Sequence, residues 1–517
     1  MTPNGDTRAT WAYHDATKHS VISVRESAHV LDMTNQPRPW KLYKDDLSEV
    51  GLGGELPSSG VSALDSLNVR PAAPAHNDLT LERIAALLLL SAGVTKQLTV
   101  PGGAMHFRAA ACTGALYHIE LYVIAGEVSG LPAGVYHFGV HDHTLRRIRE
   151  GDFRGVVARA TADQPAVKQA QAVIAYTTTY WRNAWKYQDR AYRHAYWDSG
   201  TIIANTLAAA SAHGVDASVV AGFVDEQINR LLGVGPNGEV TVALVPLGRS
   251  TKRTIAMRDF APVTLETESL SGREIDFPSI GAMHAASALG TDDDVAAWRH
   301  RGTPMPDNAT GDLFPLAAED GSARPPLDWG RSLEEVIMRR GSSRRFERSP
   351  LTWDETSTML GAALQKVPLD ATSIDVNALT DVYVIANEVD GLPPGTYRYR
   401  RSDHALEHLY SADTRDSSTH LALDQPLGGD AALGIYFLAD LTVLLDQLGN
   451  RAYRAALLDA SIAAGRLYLA AYAMSLGATG LTFYDDEVTD YFSPSAVGKS
   501  VMFLIAIGRP AKRRWPH

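Results

Sequence analysis

Three short motifs in this chain occur twice at one fixed spacing. They are GLPAGVY at 130–136 and GLPPGTY at 391–397, RAYR at 190–193 and 451–454, and DE at 225–226 and 486–487. The spacing is 261 residues each time, since 391 − 130, 451 − 190 and 486 − 225 all equal 261. Solenoid repeats have periods of only about 20–50 residues. The spacing therefore predicts two copies of a complete fold unit.

The composition allows two ordinary globular domains. A chain of 517 residues can bury two hydrophobic cores, and 45% hydrophobic and 21% charged residues are usual for soluble proteins. The net charge of −11 argues against a broad nucleic-acid-binding surface. Cys112 is the only cysteine, so an intrachain disulfide is excluded and a reducing compartment is indicated.

The sequence shows no targeting or membrane signal. The residues after Met1 have neither the basic nor the apolar region of a secretory signal. The longest apolar stretch, residues 84–90, is far too short to cross a bilayer. We therefore expect a cytoplasmic protein with neither a membrane partner nor a nucleic-acid partner.

Both copies show the same order of predicted elements. The first has a helix from Leu79 capped by Asn77 or Asp78, strands at 119–124, 135–138, 172–178 and 240–246, and a buried helix at 192–212. The second has a helix starting at 351–354, strands at 381–385, 433–438 and 502–507, and a buried helix at 455–474. This order predicts an α+β fold with a central sheet in each copy.

Four segments are expected along the chain. They are an N-terminal extension at 1–75, a first domain at 76–265, a linker at 266–329 and a second domain at 330–517. The linker is expected there because residues 290–329 are rich in Asp, Gly and Pro.

The densest group of cations is RRGSSRR at 339–345, which follows a helical run at 333–338. Guanidinium groups beside hydroxyls suit a phosphate dianion, so Arg340, Ser342 and Arg344 are candidate phosphate ligands. The alternative is a solvated basic helix end. A second basic cluster contains Arg509 and Arg513, and alone it is typical of a frayed tail. The first copy has only VRPA at 69–72 in the corresponding place, which predicts one phosphate clamp, in the second copy.

A run of small residues stands at 107–117 of the first copy, FRAAACTGALY. Its members Arg108, Ala110, Ala111, Cys112 and Gly114 precede a strand, where a slim backbone can approach a flat ligand closely. The alternative is tight packing of a helix against the sheet. The corresponding stretch of the second copy, residues 367–372, shows no such pattern.

Lys186 and Tyr187 occur in the first copy only. At the 261-residue spacing the second copy has Gln447 and Leu448, whereas both copies keep the RAYR motif. We interpret RAYR as structural and the Lys-Tyr pair as catalytic, because a Lys beside a Tyr can favour a phenolate or act as a tuned base. The alternative is a surface Lys beside a packing Tyr.

These signals lie in different copies, which favours one ligand held between the two. Other chemistries find less support. His118 and His194 have no partners at metal-ligand spacing, so no metal site is predicted. No G-x-G-x-x-G follows a strand and no G-x-S-x-G occurs. Cys112 lies among small apolar residues and is interpreted as packed rather than nucleophilic.

The motifs resemble those of the nitroreductase-like flavoenzymes, and within them the SagB/ThcOx-type dehydrogenases, which include azoline oxidases of ribosomal peptide biosynthesis. The segments at 13–20 and 35–43 are similar in sequence to segments of the two-domain members of this family. RGSSR at 340–344 resembles the clamp for the FMN phosphate, GALY at 114–117 resembles the segment laid against the flavin ring, and Lys186-Tyr187 matches the pair associated with azoline oxidation. The resemblance implies FMN as cofactor, with contacts from Gly480, Leu481, Arg509 and Arg513 as well.

The resemblance also implies tandem nitroreductase-like domains that form an intrachain pseudo-dimer, monomeric or further assembled. Three departures stand out. Gly341 replaces an Arg that is common before the Ser, Cys112-Thr113 stands where Ser-Ala is usual, and His118 stands where Pro is usual. We expect the first two to loosen flavin contacts and the third to reshape the pocket.

The expected activity is FMN-dependent, two-electron dehydrogenation of a small or peptide-borne heterocycle such as an azoline, in natural-product biosynthesis and within a biosynthetic complex. One alternative is an NAD(P)H-dependent reductase of nitro or enone compounds, which would not need Lys186 or Tyr187. Another is a cofactor-free scaffold in a synthetase complex, which predicts colourless protein.

Overall fold

Two similar α+β halves make up the folded chain. The computed structural model describes residues 3–53, 56–67, 78–100, 103–235, 238–250, 259–299, 310–316, 329–372 and 378–511. Among the helices of these residues, none has both the length and the apolar character needed to span a bilayer.

An antiparallel sheet forms the centre of the first half. The strands of this half are β1 (Glu49–Gly51), β2 (Val94–Val100), β3 (Gly103–Arg108), β4 (Ile119–Ala125), β5 (Gly134–Gly139), β6 (Thr144–Glu150), β7 (Ala172–Thr179) and β8 (Glu239–Leu247). Six of them lie in the order β1-β6-β5-β4-β7-β8, and β2 pairs with β3 in a separate hairpin. The strands β4, β7 and β8 are buried along their whole lengths, which explains their nearly continuous apolar sequences.

The helices of the first half surround this sheet. They are α1 (Arg8–Ala16), α2 (Val21–Arg25), α3 (Ala63–Leu67), α4 (Leu81–Ala92), α5 (Arg154–Ala160), α6 (Pro165–Gln169), α7 (Tyr180–Tyr187), α8 (Ala191–Ala212) and α9 (Asp225–Leu232). The cap of α4 is Thr80, whose side chain accepts a hydrogen bond from the Arg83 N–H. The prediction of Asp78 as the cap is therefore wrong, and Asn77 lies outside the described residues.

The second half has the same architecture. Its strands are β9 (Leu313–Pro315), β10 (Phe346–Glu347), β11 (Asp381–Ala386), β12 (Gly395–Arg400), β13 (Ala405–Ser411), β14 (Leu433–Ala439), β15 (Gly477–Leu481) and β16 (Ser500–Pro510). They lie in the order β10-β16-β14-β11-β12-β13-β9, and β15 pairs with β16. The helices are α10 (Pro278–Ala286), α11 (Asp292–Arg299), α12 (Leu333–Arg339), α13 (Trp353–Ala363), α14 (Arg415–Leu421), α15 (Pro426–Asp430), α16 (Leu441–Leu448), α17 (Arg451–Ala473) and α18 (Asp485–Tyr491).

The repeat predicted from the motifs is present in the structure. Five elements of the first half recur with both ends shifted by 261 residues, namely β5, β6, α5, α6 and α7 as β12, β13, α14, α15 and α16. The predicted α+β fold with two copies is thus confirmed. The β2-β3 hairpin was not predicted, and the described part of the second half shows no counterpart to it.

The predicted extension and the predicted linker hold matching positions. Helix α1 of the extension touches α10 of the linker. Both ends of these helices differ by 270 residues, since 278 − 8 and 286 − 16 both equal 270. Ser62 and Ser332, also 270 apart, form a backbone bridge between the halves. The repeat therefore includes chain before residue 76, and the linker range carries structure of its own.

The two long helices α8 and α17 cross at the centre of the molecule. A Cβ on Gly465 would lie 2.5 Å from the Ala204 Cβ and 3.1 Å from the Thr201 Cα, so only glycine permits this approach. The Ser461 hydroxyl donates to the Tyr196 carbonyl across the crossing at 3.0 Å. Since both helices are buried almost throughout, this contact joins the two cores into one.

A buried ion cluster joins the halves beside this crossing. Arg451 Nη1 and Arg454 Nη1 of the second half lie 2.6 and 2.7 Å from the Asp225 carboxylate of the first. Arg454 also donates to the His284 carbonyl at 2.6 Å. All three charged side chains are at most 4% exposed, so removal of one partner would leave the others buried and uncompensated.

The pseudo-symmetric counterpart of this cluster contains Arg190 and Arg193 of the first half and Asp485 of the second. Their Nη1 atoms lie 3.2 and 2.6 Å from the carboxylate, and Arg193 donates to the His14 carbonyl at 2.9 Å. The RAYR motif is therefore structural, as predicted. The 261-residue spacing matches Asp225 with Asp486, but Asp486 is exposed and pairs with Lys18. The true counterpart is one residue earlier, since the chain between the anchors is one residue shorter in the second half.

We expect Asp485→Ala to destabilise the protein by about 3–5 kcal/mol, because it leaves two buried guanidinium groups without their anion. Asp486→Ala is the matched control and should change the unfolding free energy by less than about 0.5 kcal/mol. Urea unfolding of both variants checks this. Equal losses of unfolding free energy in the two variants would contradict the assignment of Asp485 as the counterpart of Asp225.

The same clusters predict a loss of stability in acid. Burial alone would raise the pKa of Asp225 and Asp485, but the paired arginines lower each to about 2. Since the unfolded pKa is about 3.9, this contribution is complete above roughly pH 4 and is lost as the pH falls through about 2.

Candidate active site

The candidate site lies where the clamp segment of the second half meets the small-residue segment of the first. After α12 ends, Arg340 crosses to the first half, where its Nε donates to the Ala109 carbonyl at 2.7 Å and its Nη2 to the Arg108 carbonyl at 2.9 Å. A third bond joins its Nη1 to the Gly341 carbonyl. Arg340 therefore connects the two halves. Three of its five N–H groups are used in these bonds, and two are left for a ligand.

The rest of the clamp segment faces the second half. The Ser342 hydroxyl lies 3.3 Å from the Tyr468 hydroxyl, and the Ser343 N–H donates to the Ala478 carbonyl at 2.9 Å. Arg344 is exposed, and no ion pair to it is found in the described part of the chain. A free cation beside hydroxyls is the donor set that a phosphate requires.

The small-residue segment turns sharply after β3. Gly114, Ala115 and Tyr117 have φ of 62°, 55° and 50°, the left-handed region that side chains other than glycine seldom adopt. Such strain persists only where the surroundings hold it. Asp198 of α8 anchors the start, accepting hydrogen bonds from the Thr113 N–H at 2.9 Å and from its hydroxyl at 2.8 Å. This segment, residues 109–117, is the platform loop.

Cys112 and His118 also bind Asp198. The thiol lies 3.0 Å and the His118 Nε2 2.9 Å from its Oδ2. The three ligand atoms lie within 4.8 Å of one another and could hold a metal ion, although no metal-ligand spacing along the sequence relates them. Burial, with Asp198 next, raises the pKa of the Cys112 thiol well above its ordinary value. In the second half Asp459 caps Thr380 in the same way as Asp198 caps Thr113, which favours a structural anchor.

Lys186 and Tyr187 end α7 directly above the platform loop. A Cβ on Gly114 would lie 2.7 Å from the Tyr187 hydroxyl, so glycine makes room for the phenol. The Lys186 Nζ lies 5.2 Å from the centre of the Tyr187 ring, over its face. Burial, then Asp198 and Cys112, raises the pKa of the Tyr187 phenol, although Arg344 of the other half opposes the shift. The phenol is thus protonated at neutral pH, and the phenolate alternative is not supported.

An aromatic wall beside Tyr187 was not predicted. His194 packs edge-on against Tyr187 with ring centres 4.7 Å apart, and Trp197 follows at 4.9 Å from His194. Phe503 of the second half lies 5.5 Å from Trp197. The second copy has Ala455 and Leu458 where the first has His194 and Trp197. The same comparison that selected the Lys-Tyr pair would therefore have found them.

Strand β15 of the second half borders the site. Gly480 is exposed and donates its N–H to the Tyr468 hydroxyl at 2.6 Å. After Leu481, the Thr482 hydroxyl is buried without a hydrogen-bond partner, and no bond from its backbone N–H is found among the described residues. A buried hydroxyl without a partner indicates a missing acceptor.

Two predicted cofactor ligands, Arg108 and Arg509, are not brought together with the others. The Arg108 side chain points away and stacks on Trp40 and Tyr117, so only its carbonyl reaches the clamp. Arg509 is paired with Glu355 at 2.8 Å. Arg513 lies outside the described residues. The expectation of a second basic group at the phosphate is therefore not met by Arg509.

The pseudo-symmetric second position is closed. Val219 pairs with Leu369 of the other half as a parallel bridge. The Asp370 carboxylate accepts the N–H groups of Ala221 and Gly222 at 2.6 and 3.1 Å, and Arg299 pairs with it at 3.0 Å. Ala221 and Gly222 correspond to Leu481 and Thr482 at a spacing of 260, so Asp370 fills the place that the first site leaves open.

Comparison with known proteins gives a consistent picture. The sequence model described as "Nitroreductase family" matches residues 76–249 and 337–509. A crystal structure from Anabaena variabilis, of a protein named as a nitroreductase, is 26% identical with a TM-score of 0.77 and covers 97% of this chain and 99% of its own.

Two curated proteins match parts of the chain. MJ1384 of Methanocaldococcus jannaschii, named as a nitroreductase, is 28% identical over 171 residues, which are 33% of this chain and 81% of that protein. The trifolitoxin-processing protein TfxB of Rhizobium leguminosarum bv. trifolii is 30% identical over 179 residues, 32% of this chain. The match spans 46% of TfxB, less than half its length.

We expect the Cys112 thiol to be unreactive in the folded protein, because its raised pKa leaves little thiolate. With a single cysteine, thiol titration by a disulfide reagent should give under about 0.1 equivalent natively, and one in denaturant. Rapid stoichiometric labelling of the native protein would contradict this.

Proposed function

Because this chain belongs to the nitroreductase family, we propose that it is an FMN-dependent oxidoreductase that dehydrogenates a heterocycle such as an azoline. The observation that carries the proposal is the meeting of Lys186 and Tyr187 with the platform loop of one half and the unpaired Arg344 of the other. The chemistry of these groups suits a ligand with a flat ring and a phosphate.

The chemistry of the site fits FMN. Arg344 and Ser342 offer a cation and a hydroxyl for a phosphate, and the platform loop offers slim backbone for the ring. The unpaired Thr482 donors suit an acceptor edge of the ring. In the closed second position a carboxylate occupies the equivalent amides, which supports an acceptor group at Thr482.

In the proposed reaction the heterocycle loses a hydride and a proton and gains a double bond. When bound, FMN would supply the acceptor for the hydride, and oxygen or another oxidant would restore the oxidised flavin. Since Tyr187 is a protonated phenol, we assign removal of the substrate proton to the Lys186 amine and orientation of the substrate to the Tyr187 hydroxyl. Trp181, Trp185 and Leu116 cluster beside Tyr187 and limit access of water.

The relatives support different substrates. The likeness to TfxB, whose name links it to trifolitoxin processing, supports a biosynthetic substrate. The likeness to MJ1384 supports the second candidate, an NAD(P)H-dependent nitroreductase. Anaerobic mixing with a thiazoline-4-carboxamide or with NADPH separates them, because the true reductant bleaches the flavin. Colourless purified protein would contradict both.

We predict one FMN per chain. The second position is closed by the Val219–Leu369 bridge and by Asp370, and the VRPA segment offers no matching clamp. Flavin released by acid, measured against protein by absorbance, should be near one equivalent. A value near two would overturn this prediction.

We predict that Arg344→Ala weakens FMN binding about 10- to 100-fold, since a charge-assisted hydrogen bond contributes roughly 1.5–3 kcal/mol. Arg345→Ala, the exposed neighbour, is the matched control. Fluorescence titration of the apoprotein measures both. Unchanged affinity in Arg344→Ala would show that the phosphate binds elsewhere.

We predict that Lys186→Ala and Tyr187→Phe retain FMN but reduce it with the thiazoline roughly 10²- to 10⁴-fold more slowly, the usual size of positioned proton transfer. Gln447→Ala at the equivalent place in the second half is the control and should behave as wild type. The reductase candidate predicts near-normal NADPH-driven reduction of a nitroaromatic in both variants. Colourless or unfolded variants would show that Lys186 and Tyr187 have a structural role and not a catalytic one.

A further inference from the structure

We propose that Arg182 is a positioning residue that ties the platform loop to the helix carrying Lys186 and Tyr187. The inference rests on the proposed function for its kinetic consequence. Arg182 is 1% exposed, and its Nη1 donates to the Tyr117 carbonyl and to Glu120 Oε1, both at 2.8 Å. Tyr117 is the last left-handed residue of the loop.

The loop is thus held at both ends. Asp198 binds its start through Thr113, and Arg182 binds its end through the Tyr117 carbonyl. Two non-glycine residues of the loop, Ala115 and Tyr117, are left-handed, and they need such restraint because this backbone region is strained for any residue other than glycine.

The second half has a counterpart of one anchor of the loop but not of the other. Asp198 has a counterpart in Asp459, which caps Thr380 in the second half. The residue 261 positions after Arg182 is Val443, in the half that has no Lys-Tyr pair. The fold unit therefore does not require an arginine at this position. The arginine occurs in the half that contains the predicted catalytic pair, and the other half has a valine there.

Helix α7 transmits the restraint. Arg182 and Lys186 are four residues apart and lie on one face of the helix, so the side chain that holds the loop and the pair above it share one rigid element. The Tyr187 hydroxyl sits where a Gly114 Cβ would be 2.7 Å away. A small movement of the loop therefore changes the space between the phenol and the platform.

The test compares Arg182→Val, the residue of the second copy, with Arg182→Lys and with a matched control. The control is Lys499→Met, which removes one of the two cations paired with Asp381, the counterpart of Glu120 at a spacing of 261. In the cofactor-free protein we expect amide hydrogen exchange of residues 112–118 to speed up about tenfold or more in both Arg182 variants and to stay unchanged in the control.

The kinetic measurement uses single-turnover reduction of bound FMN by the thiazoline-4-carboxamide. We expect Arg182→Val and Arg182→Lys to lower the limiting rate about 10- to 100-fold, the scale of a 1 Å misplacement, with the concentration for half-maximal rate and the FMN affinity near wild type. Exchange that does not change would overturn the proposal. Faster exchange with a normal rate would make Arg182 structural only, which also overturns it. If wild-type flavin is not reduced, the proposed function fails, and the exchange result still decides whether Arg182 holds the loop.

Discussion

Two buried carboxylates, each shared by two arginines of the opposite half, hold this molecule together. Asp225 and Asp485 stand near the ends of the crossing helices, and each lies in a cluster that neither half can complete alone. Because a buried charge without its partner is so costly, the halves have one relative orientation. That orientation brings the Arg340 segment onto the Arg108 and Ala109 carbonyls and so forms the candidate site.

The site depends on divergence within this symmetric frame. Each half keeps the sheet, the long helix and an aspartate that caps the loop before the first central strand. Only the first half adds Lys186, Tyr187, His194 and Arg182, whereas the second position is closed by Asp370. Symmetry supplies the scaffold, and the proposed chemistry lies in the residues that break it.

Much of this could be predicted from the sequence. The 261-residue spacing predicts the repeat, and the places where the copies differ select the clamp, the platform and the Lys-Tyr pair. The spacing fails where the chain length changes, because it matches Asp225 with the exposed Asp486 instead of the buried Asp485. The charge state of Tyr187, the partners of His118 and the pairing of Arg509 with Glu355 depend on burial and on contacts between distant segments. Periodicity and motif spacing therefore do not predict these three features.

The covalent joining of the two halves has a consequence for how the site responds to dilution. In an assembly of separate subunits, a site built from two chains disappears when the protein concentration falls below the dissociation constant of the pair. Here the partner is tethered, so its effective concentration does not depend on the amount of protein. The crossing of α8 with α17 then forms by a unimolecular step, and a cell containing few copies of this chain retains the complete site in every one of them.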